Sequence, residues 1–554
     1  MRAGTRQPPR TAREQTLRRR RVAALGLATM ALGALAGGLI YGATRESAGQ
    51  RAAERFTRAW ERGDYGSMYA LLTPASQRSI RPAAFIRAYD DARAIATGVR
   101  LAAGKARDEG GGVVRVPMSV DTRIFGTVHA DLVLRTSGGR VAWASNLVFP
   151  GVPRGARLER STVAPRRARI EARDGRTIVS GPAGARQYPA GAVASSIAGT
   201  VGQPATPEDR DALMARGFPA GTPVGLSGLE RVFESQVAGR PGGTLYAGRR
   251  VLATSRPRSG RPVRTTIDLK VQAAAVEALA GVAFSAPQPP GSTFKVITAT
   301  AVLEAHAARL STQFPVAQKA VIDGVDLQNA NGEFCGGTFA EAFAKSCNSV
   351  FAPLGVKVGA SRLVDAAERY GFNEQPSIPG AQPSTIPAPG EIGSELALGS
   401  TAIGQGRVLA TPLELASVAQ TVASRGIRHR PTLVPGRPPG RPVRVTSRHI
   451  AKELRTLMLG VVQYGTGVRA AIPGTSVAGK TGTAELETTV PRPGQNQPPP
   501  SDTQEPPGSK TDAWFTGFAP ATHPKLAVCV MLVRAGAGGD TAAPAAATVL
   551  RAGL

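Results

Sequence analysis

One short segment constrains this chain more than any other. A proline and a glycine lead into Ser292, and an apolar run follows over residues 296–303. Proline and glycine interrupt regular structure, so the segment predicts a turn that feeds a helix N-terminus. Because three residues make nearly one helical turn, Ser292 and Lys295 share a face and can approach each other. A lysine with a lowered pKa can take the proton of a serine hydroxyl, which indicates a nucleophile. Alone, this spacing is common by chance.

Two further segments lie downstream in the chain. They are Ser346-Cys347-Asn348 and Lys480-Thr481-Gly482-Thr483. Serine-x-x-lysine, serine-x-asparagine and lysine-threonine-glycine, in this order, form the signature of β-lactamases and penicillin-binding proteins. The flanking letters P-G-S-T-F-K and K-T-G-T-A strengthen the match. On these motifs the chain resembles the penicillin-binding serine transpeptidases.

The resemblance implies a role for each residue of the first two motifs. Ser292 would attack the carbonyl between two terminal D-alanines and form an acyl-enzyme, with Lys295 as the acylation base. Ser346 would relay a proton to the leaving amine, and Asn348 would hydrogen-bond the substrate's amide backbone. Ser346 as a helix cap and Asn348 as a loop anchor are the structural alternatives.

The third motif would bind the carboxylate end of the substrate. Lys480 sets a positive charge near that carboxylate, and the hydroxyls of Thr481 and Thr483 can bond it, with Gly482 between them. The N–H groups of Ser292 and Thr483 would form the oxyanion hole. An amine from a neighbouring peptide stem would then resolve the acyl-enzyme and give a cross-link.

Related activities remain open from these motifs. A serine β-lactamase shares them, but the E-x-x-x-N spacing that positions a deacylating water in one β-lactamase class is absent. A D,D-carboxypeptidase would use water in place of the amine. A β-lactam-binding sensor or a non-catalytic cell-wall scaffold would not turn over at all. Stem peptides and β-lactam antibiotics are the expected ligands, and a membrane glycosyltransferase is a partner implied by the resemblance.

The N-terminus predicts a membrane anchor. A basic tail over residues 1–21 precedes residues 22–43, which contain no charge and would rise about 33 Å as a helix, enough to cross a bilayer. A cleaved signal peptide and a buried soluble helix are the alternatives. The positive-inside rule puts the tail in the cytoplasm and the remainder outside. We therefore expect a single-pass protein of the cell membrane with an extracellular catalytic domain.

The rest of the chain predicts an α+β multidomain protein. Residues 46–150 resemble a nuclear-transport-factor-2-like domain through an A-x-x-F-x-x-A-W-x-x-G-D-Y pattern, with strands expected at 114–120, 129–134 and 140–149. Residues 151–262 resemble the penicillin-binding protein linker, or dimerisation, domain through G-x-S-G-L-E. Residues 263–554 would form the transpeptidase domain, a serine β-lactamase-like fold with a central antiparallel sheet flanked by helices. No glycosyltransferase-like domain is found, which favours class B.

Two features of residues 263–554 differ from what the family resemblance leads us to expect. Residues 269–280 predict a helix, which leaves room before Ser292 for one short strand at 282–284 but not for the hairpin that relatives place there. The sheet would then lack its first hairpin and leave residues 526–534 as an exposed edge. Residues 491–509 are rich in proline and predict a disordered insertion.

The cysteines and histidines indicate whether disulfides or metal sites are expected. Cys335 and Cys347 fall in the exported part and predict a disulfide, with Cys529 as a buried thiol. The alternative is that Cys347 simply packs beneath its motif. The five histidines are scattered, so no metal or cofactor is expected. The net charge of +29 is spread along the chain without a basic patch, which favours anionic lipid and cell-wall polymer over nucleic acid.

Overall fold

The computed structural model describes residues 46–279, 286–436, 440–485 and 511–554. Contacts divide the described residues into two compact units. The first contains residues 46–165, 204–222 and 239–259, and the second contains residues 166–203, 223–238 and the described chain from 260 onwards. The predicted tail, membrane span and proline-rich insertion lie outside the described residues. Within the described ranges, no helix is both long and apolar enough to cross a membrane.

The elements follow in chain order. The helices are α1 Ala48–Glu61, α2 Tyr65–Ala70, α3 Pro74–Ser79, α4 Pro82–Ala96, α5 Gly191–Ala198, α6 Pro207–Ala215, α7 Gly228–Val232, α8 Glu234–Val237, α9 Leu269–Ala278, α10 Lys295–Glu304, α11 Phe339–Ala344, α12 Asn348–Val358, α13 Ala360–Tyr370, α14 Glu395–Ala402, α15 Pro412–Ala423, α16 Arg448–Gln463 and α17 Ala542–Gly553. The strands are β1 Gly98–Ala103, β2 Arg107–Gly110, β3 Val113–Thr122, β4 Gly126–Ser137, β5 Arg140–Ala142, β6 Leu158–Val163, β7 Ile170–Glu171, β8 Thr177–Val179, β9 Val201–Gly202, β10 Val224–Gly225, β11 Gly242–Ala247, β12 Arg250–Ser255, β13 Val263–Arg264, β14 Gln313–Ala317, β15 Lys319–Ile322, β16 Val325–Gln328, β17 Cys335–Thr338, β18 Ile427–Arg428, β19 Val443–Arg444, β20 Ala478–Glu485, β21 Thr511–Ala519 and β22 Leu526–Leu532.

The first unit packs helices against a twisted antiparallel sheet. The sheet order is β1-β3-β4-β5, with β2 paired to β3. Helix α1 begins at a serine cap, where the Gln50 N–H donates to Ser47 Oγ at 3.0 Å. Its predicted apolar face, which includes Phe56 and Trp60, is buried in the core of this unit. A second, three-stranded sheet of order β12-β11-β6 completes the unit.

The predicted strand over residues 140–149 is wrong beyond Ala142. Strand β5 ends there, and Ser145–Val148 form a 3-10 turn. The Trp143 N–H donates to Ser76 Oγ at 2.9 Å, so this backbone bonds helix α3. A side-chain acceptor from a distant segment thus replaces the strand partner that the alternating pattern had suggested.

The second unit is built around a buried helix and a small sheet. In α10 every residue from Lys295 to Leu303 is buried, as expected for a helix surrounded by other helices. The antiparallel sheet has the order β20-β21-β22 in the described residues. Trp514 and Phe518 on β21 pack into the core that contains α10 and α15. Phe515 faces the opposite side, where α17 packs.

The start of the sheet agrees with the shortened segment predicted from the sequence. Helix α9 covers Leu269–Ala278, and the described residues between it and Ser292 form no strand, only an isolated bridge between Gln288 and Ala410. The predicted short strand at 282–284 lies outside the described residues. Strand β22 is therefore the last strand of the described sheet. No described strand pairs with its outer side, so the predicted edge is confirmed within the described residues. Its side chains are nevertheless buried or half-buried because α15 and α17 cover its two faces.

Candidate active site

Ser292 lies in a 3-10 turn, Gly291–Phe294, that runs directly into α10. Gly291 has a φ of +51°, and a Cβ at this position would lie 2.5 Å from Thr483 O, so glycine is required. The Gly291 N–H donates to Gly404 O at 2.9 Å. Because side chains three residues apart eclipse in a 3-10 turn, Ser292 and Lys295 lie on one side. Ser292 is half-buried, and its Oγ makes no hydrogen bond to any described residue.

Lys295 is fully buried and bonds the middle motif. Its Nζ donates to Ser346 O and to Asn348 Oδ1, both at 2.6 Å, and lies 3.3 Å from Ser346 Oγ. Burial, with a smaller effect from the nearby Lys480, holds the pKa of Lys295 well below its ordinary value. Lys295 is therefore the lysine better suited to act as a base.

Ser346 lies between two lysines. Its φ is +64°, a left-handed conformation that is uncommon outside glycine and recurs at functional sites. Its Oγ lies 2.8 Å from Lys480 Nζ and 3.3 Å from Lys295 Nζ. This side chain makes both contacts through its Oγ, so the helix-cap reading of Ser346 does not describe it.

Lys480 lies near the start of β20, two residues after Ala478, and is also fully buried. Its Nζ donates to Ser346 Oγ at 2.8 Å and to Thr481 O at 2.9 Å. Burial lowers the pKa of Lys480 to about 7. Lys480 thus keeps much of its charge at neutral pH, which raises the cost of a second charge on Lys295.

The two threonine hydroxyls of the third motif have partners from other segments. Thr481 Oγ1 and Thr466 Oγ1 are 2.5 Å apart, and Thr483 Oγ1 accepts from the Gly538 N–H at 3.3 Å. These contacts fix the rotamers of both hydroxyls beside Lys480. The role of the hydroxyls as carboxylate ligands stays a prediction.

Two backbones meet where the oxyanion hole is expected. A Cβ on Gly482 would lie 2.8 Å from Pro290 O and 3.1 Å from Thr293 N, so β20 and the nucleophile turn are in close contact. Only glycine permits this approach. The N–H groups of Ser292 and Thr483 belong to these two segments, and their role as oxyanion donors stays a prediction.

A disulfide joins Cys335 and Cys347, whose Cα atoms are 5.4 Å apart. Cys347 is the central residue of the middle motif, so the bridge ties β17 to the turn that carries Ser346 and Asn348. Cys529 is a free thiol, and burial raises its pKa.

Sequence reasoning identified the three motifs but missed residues that hold them. Thr466 and Gly538 each contact a threonine of the third motif through the hydrogen bonds given above. Asn329, a buried polar residue before the disulfide loop, was also missed. Glycine and threonine have no distinctive pattern in those segments. Asn329 has no distinctive pattern either, because its burial is visible only in the folded chain.

Comparisons with known proteins agree with this geometry. Residues 248–551 match the penicillin binding protein transpeptidase domain, and residues 162–264 match the penicillin-binding protein dimerisation domain. The peptidoglycan D,D-transpeptidase PbpA of Mycobacterium tuberculosis is 38% identical over 298 residues, which cover 49% of this chain and 56% of that protein. PbpA of Mycolicibacterium smegmatis is 37% identical over 295 residues. The chain thus matches about half the length of these curated relatives.

Solved structures of a penicillin-binding protein and of a D,D-transpeptidase domain also resemble the chain. The ceftriaxone acyl-enzyme complex of penicillin-binding protein A from M. tuberculosis has a TM-score of 0.53 at 26% identity, covering 70% of this chain and 98% of that one. The D,D-transpeptidase domain of a peptidoglycan glycosyltransferase from Eggerthella lenta has a TM-score of 0.55 at 25% identity, covering 70% of this chain and 98% of that one. The transpeptidase family model covers more than half of the chain, and the three motifs meet at one site. The chain therefore belongs to the penicillin-binding protein transpeptidases and has a dimerisation domain of that family.

Proposed function

We propose that the chain is a peptidoglycan D,D-transpeptidase that forms an acyl-enzyme at Ser292 and is acylated at the same residue by β-lactam antibiotics. The observation that carries the proposal is the pair of buried lysines that share the Ser346 hydroxyl beside the nucleophile turn. Family membership supports the same reaction, and the relatives named above are D,D-transpeptidases by name.

The division of charge between the lysines explains the acylation step. A neutral Lys295 amine has two N–H groups, which its two acceptors at 2.6 Å use, and one lone pair that remains for a proton. The lone pair can accept the proton of Ser292 as its Oγ attacks the carbonyl carbon of the D-Ala-D-Ala bond. The carbonyl oxygen then gains negative charge next to the N–H groups of Ser292 and Thr483.

The middle motif supports expulsion of the leaving amine. Lys480 donates to Ser346 Oγ, so the hydroxyl proton of Ser346 is directed away from Lys480 and toward Lys295 or the departing nitrogen. Ser346 can pass a proton to that nitrogen and recover one from Lys295, which breaks the C–N bond and leaves an ester on Ser292. The amine of a second stem peptide reverses these proton transfers and forms the cross-link.

Localisation and the finer domain assignments belong to the same proposal. Residues 22–43 would anchor the chain in the cell membrane, with residues 1–21 inside and the catalytic domain outside. The helices and antiparallel sheet of the first unit support a nuclear-transport-factor-2-like domain within 46–150. The linker would then lie over 151–262 and the transpeptidase domain over 263–554. A membrane glycosyltransferase would supply the glycan strands.

One assay separates the candidate activities. Full-length chain is incubated with paired stem peptides, and the products are separated by mass. Cross-linked dimer supports the transpeptidase, D-alanine release without dimer supports a D,D-carboxypeptidase, and neither product supports a sensor or scaffold. With labelled penicillin, the adduct should map to Ser292 and disappear in Ser292→Ala. Label retained by Ser292→Ala would refute the assignment of the nucleophile.

A further inference from the structure

A buried asparagine outside the three motifs holds the start of α12. Asn329 is only 5% exposed. Its Oδ1 accepts from the Ser349 N–H at 2.9 Å, and its Nδ2 donates to Ala317 O at 2.8 Å and to Glu333 O at 2.9 Å. One amide therefore joins the first turn of α12, the end of β14 and the loop that precedes the disulfide. Every atom of this buried amide that can hydrogen-bond has a partner of the right kind.

The backbone next to Asn329 orients Asn348. Gln328 O accepts from Asn348 Nδ2 at 2.7 Å, and Asn348 Oδ1 accepts from Lys295 Nζ at 2.6 Å. A backbone carbonyl only accepts, so Gln328 O holds the Asn348 Nδ2 group toward itself and leaves Oδ1 to face Lys295 Nζ. The Asn329 N–H donates to Gln318 O at 3.0 Å, which fixes the backbone that presents Gln328 O.

We infer that Asn329 is a positioning residue that holds both neighbours of Asn348, Gln328 O on one side and Ser349 N on the other, so that Asn348 Oδ1 faces Lys295 Nζ. The inference rests on the proposed acyl transfer and deepens it. Without the Asn329 side chain, the Asn348 amide can rotate, and Lys295 Nζ then loses one hydrogen-bond acceptor. The lone pair of Lys295 then has no fixed direction toward Ser292, and misplacement by about 1 Å can cost about 100-fold in rate.

The experiment measures acylation of the full-length chain by a fluorescent penicillin. Asn329→Ala should lower the second-order acylation rate constant by about 10- to 100-fold. An acceptor at Nζ favours the charged form of Lys295, so its loss should also move the acidic limb of the rate profile to lower pH. Asn329→Ser adds no charge and keeps a small hydroxyl that can hydrogen-bond one of the same partners, so its loss of rate should be smaller. It is also the variant to measure if the alanine substitution impairs folding.

Asn373 offers a control with the same number of hydrogen bonds on a more exposed side chain. Its Nδ2 donates to Ile386 O and Glu368 Oε1, and its Oδ1 accepts from the Ile386 N–H. These are again three hydrogen bonds of one asparagine, but none reaches a motif residue. Asn373→Ala should lower the unfolding temperature while the acylation rate stays within about twofold of wild type. If Asn329 were merely structural, Asn329→Ala would lower the unfolding temperature, and by more than Asn373→Ala because Asn329 is buried. The acylation rate of the folded protein and its pH profile would then stay as in wild type.

A double-mutant cycle decides whether Asn329 acts through Asn348. If it does, the double variant Asn329→Ala/Asn348→Ala should acylate about as slowly as Asn348→Ala alone. The inference is wrong if the losses of acylation rate in the two single variants multiply in the double variant, or if a folded Asn329→Ala acylates at the wild-type rate. Either result leaves the proposed function standing. If wild type itself is not acylated at Ser292, the proposed function fails, and the inference fails with it.

Discussion

At the residue scale, the site depends on two lysines that are both removed from water. Each contacts the Ser346 hydroxyl, and burial lowers both pKa values. Two charges this close in a buried site repel strongly, so one lysine stays neutral. Lys295 carries the larger reduction because it is lowered by Lys480 in addition to burial. The same pair of residue types is thus suited to supply a base and a cation in the proposed reaction.

These pKa directions predict a bell-shaped rate profile for acylation. As pH rises, the rate should increase when Lys295 loses its proton and fall when Lys480 loses its charge, with an alkaline limb at about pH 7 in the free enzyme. A bound carboxylate favours the charged form of Lys480, so under saturating substrate the alkaline limb should move to higher pH. Rate constants measured between pH 5 and 9 check this. An alkaline limb that is the same with and without saturating substrate would contradict it.

The sequence predicted the reacting side chains but not their environment. Serine-x-x-lysine spacing and two partner motifs were sufficient to name Ser292, Ser346 and Lys480. The burial that lowers the lysine pKa values is contributed by residues far along the chain, and so is the contact between Thr481 and Thr466. Neither leaves a local pattern. Lys295 hydrogen-bonds Asn348 and not Ser292. This contact also depends on where α12 begins relative to α10.

At the element scale, β20 and β21 are paired to their last described residues. Lys480 pairs with Thr516, and the register continues without a shift to Glu485 and Thr511. Residues 486–510 connect the two strands, and within them the proline-rich residues 491–509 predict an insertion that does not pack. The motif lysine is five residue pairs from this end of the ladder. Its position is therefore set by the ladder and by helix packing on the sheet.

This register predicts that a two-residue turn can replace residues 486–510. Asn-Gly suits a tight hairpin between paired antiparallel strands. A shorter loop has a smaller entropic cost of closure, which should stabilise the fold by on the order of 1–2 kcal/mol. The acylation rate should stay within about twofold. Thermal unfolding and penicillin acylation of the shortened chain measure both effects. A large loss of acylation with the fold intact would show that residues 486–510 contribute to the site.

At the scale of the whole molecule, the chain passes repeatedly between two compact units. Residues 204–222 and 239–259 belong to the first unit although the chain has already entered the second. Local patterns do not reveal such returns, since each segment is short and its partners lie elsewhere in the sequence. Strand β11, for example, pairs with β6, and the paired residues Leu245 and Arg160 are 85 positions apart in the chain. The boundaries at 150 and 262 stay predictions.

The last prediction concerns the apolar segment at residues 22–43. Deleting residues 1–45 should move the chain from the membrane fraction to the soluble fraction and leave its acylation rate unchanged, because every motif residue lies in the second unit. Replacing residues 22–43 with an unrelated apolar segment of equal length should restore membrane association, and a glycine-serine segment of that length should not. Fractionation and fluorescent penicillin labelling measure the two properties separately. A deleted chain that still sediments with membranes after a high-salt wash would show that another part of the protein holds it there.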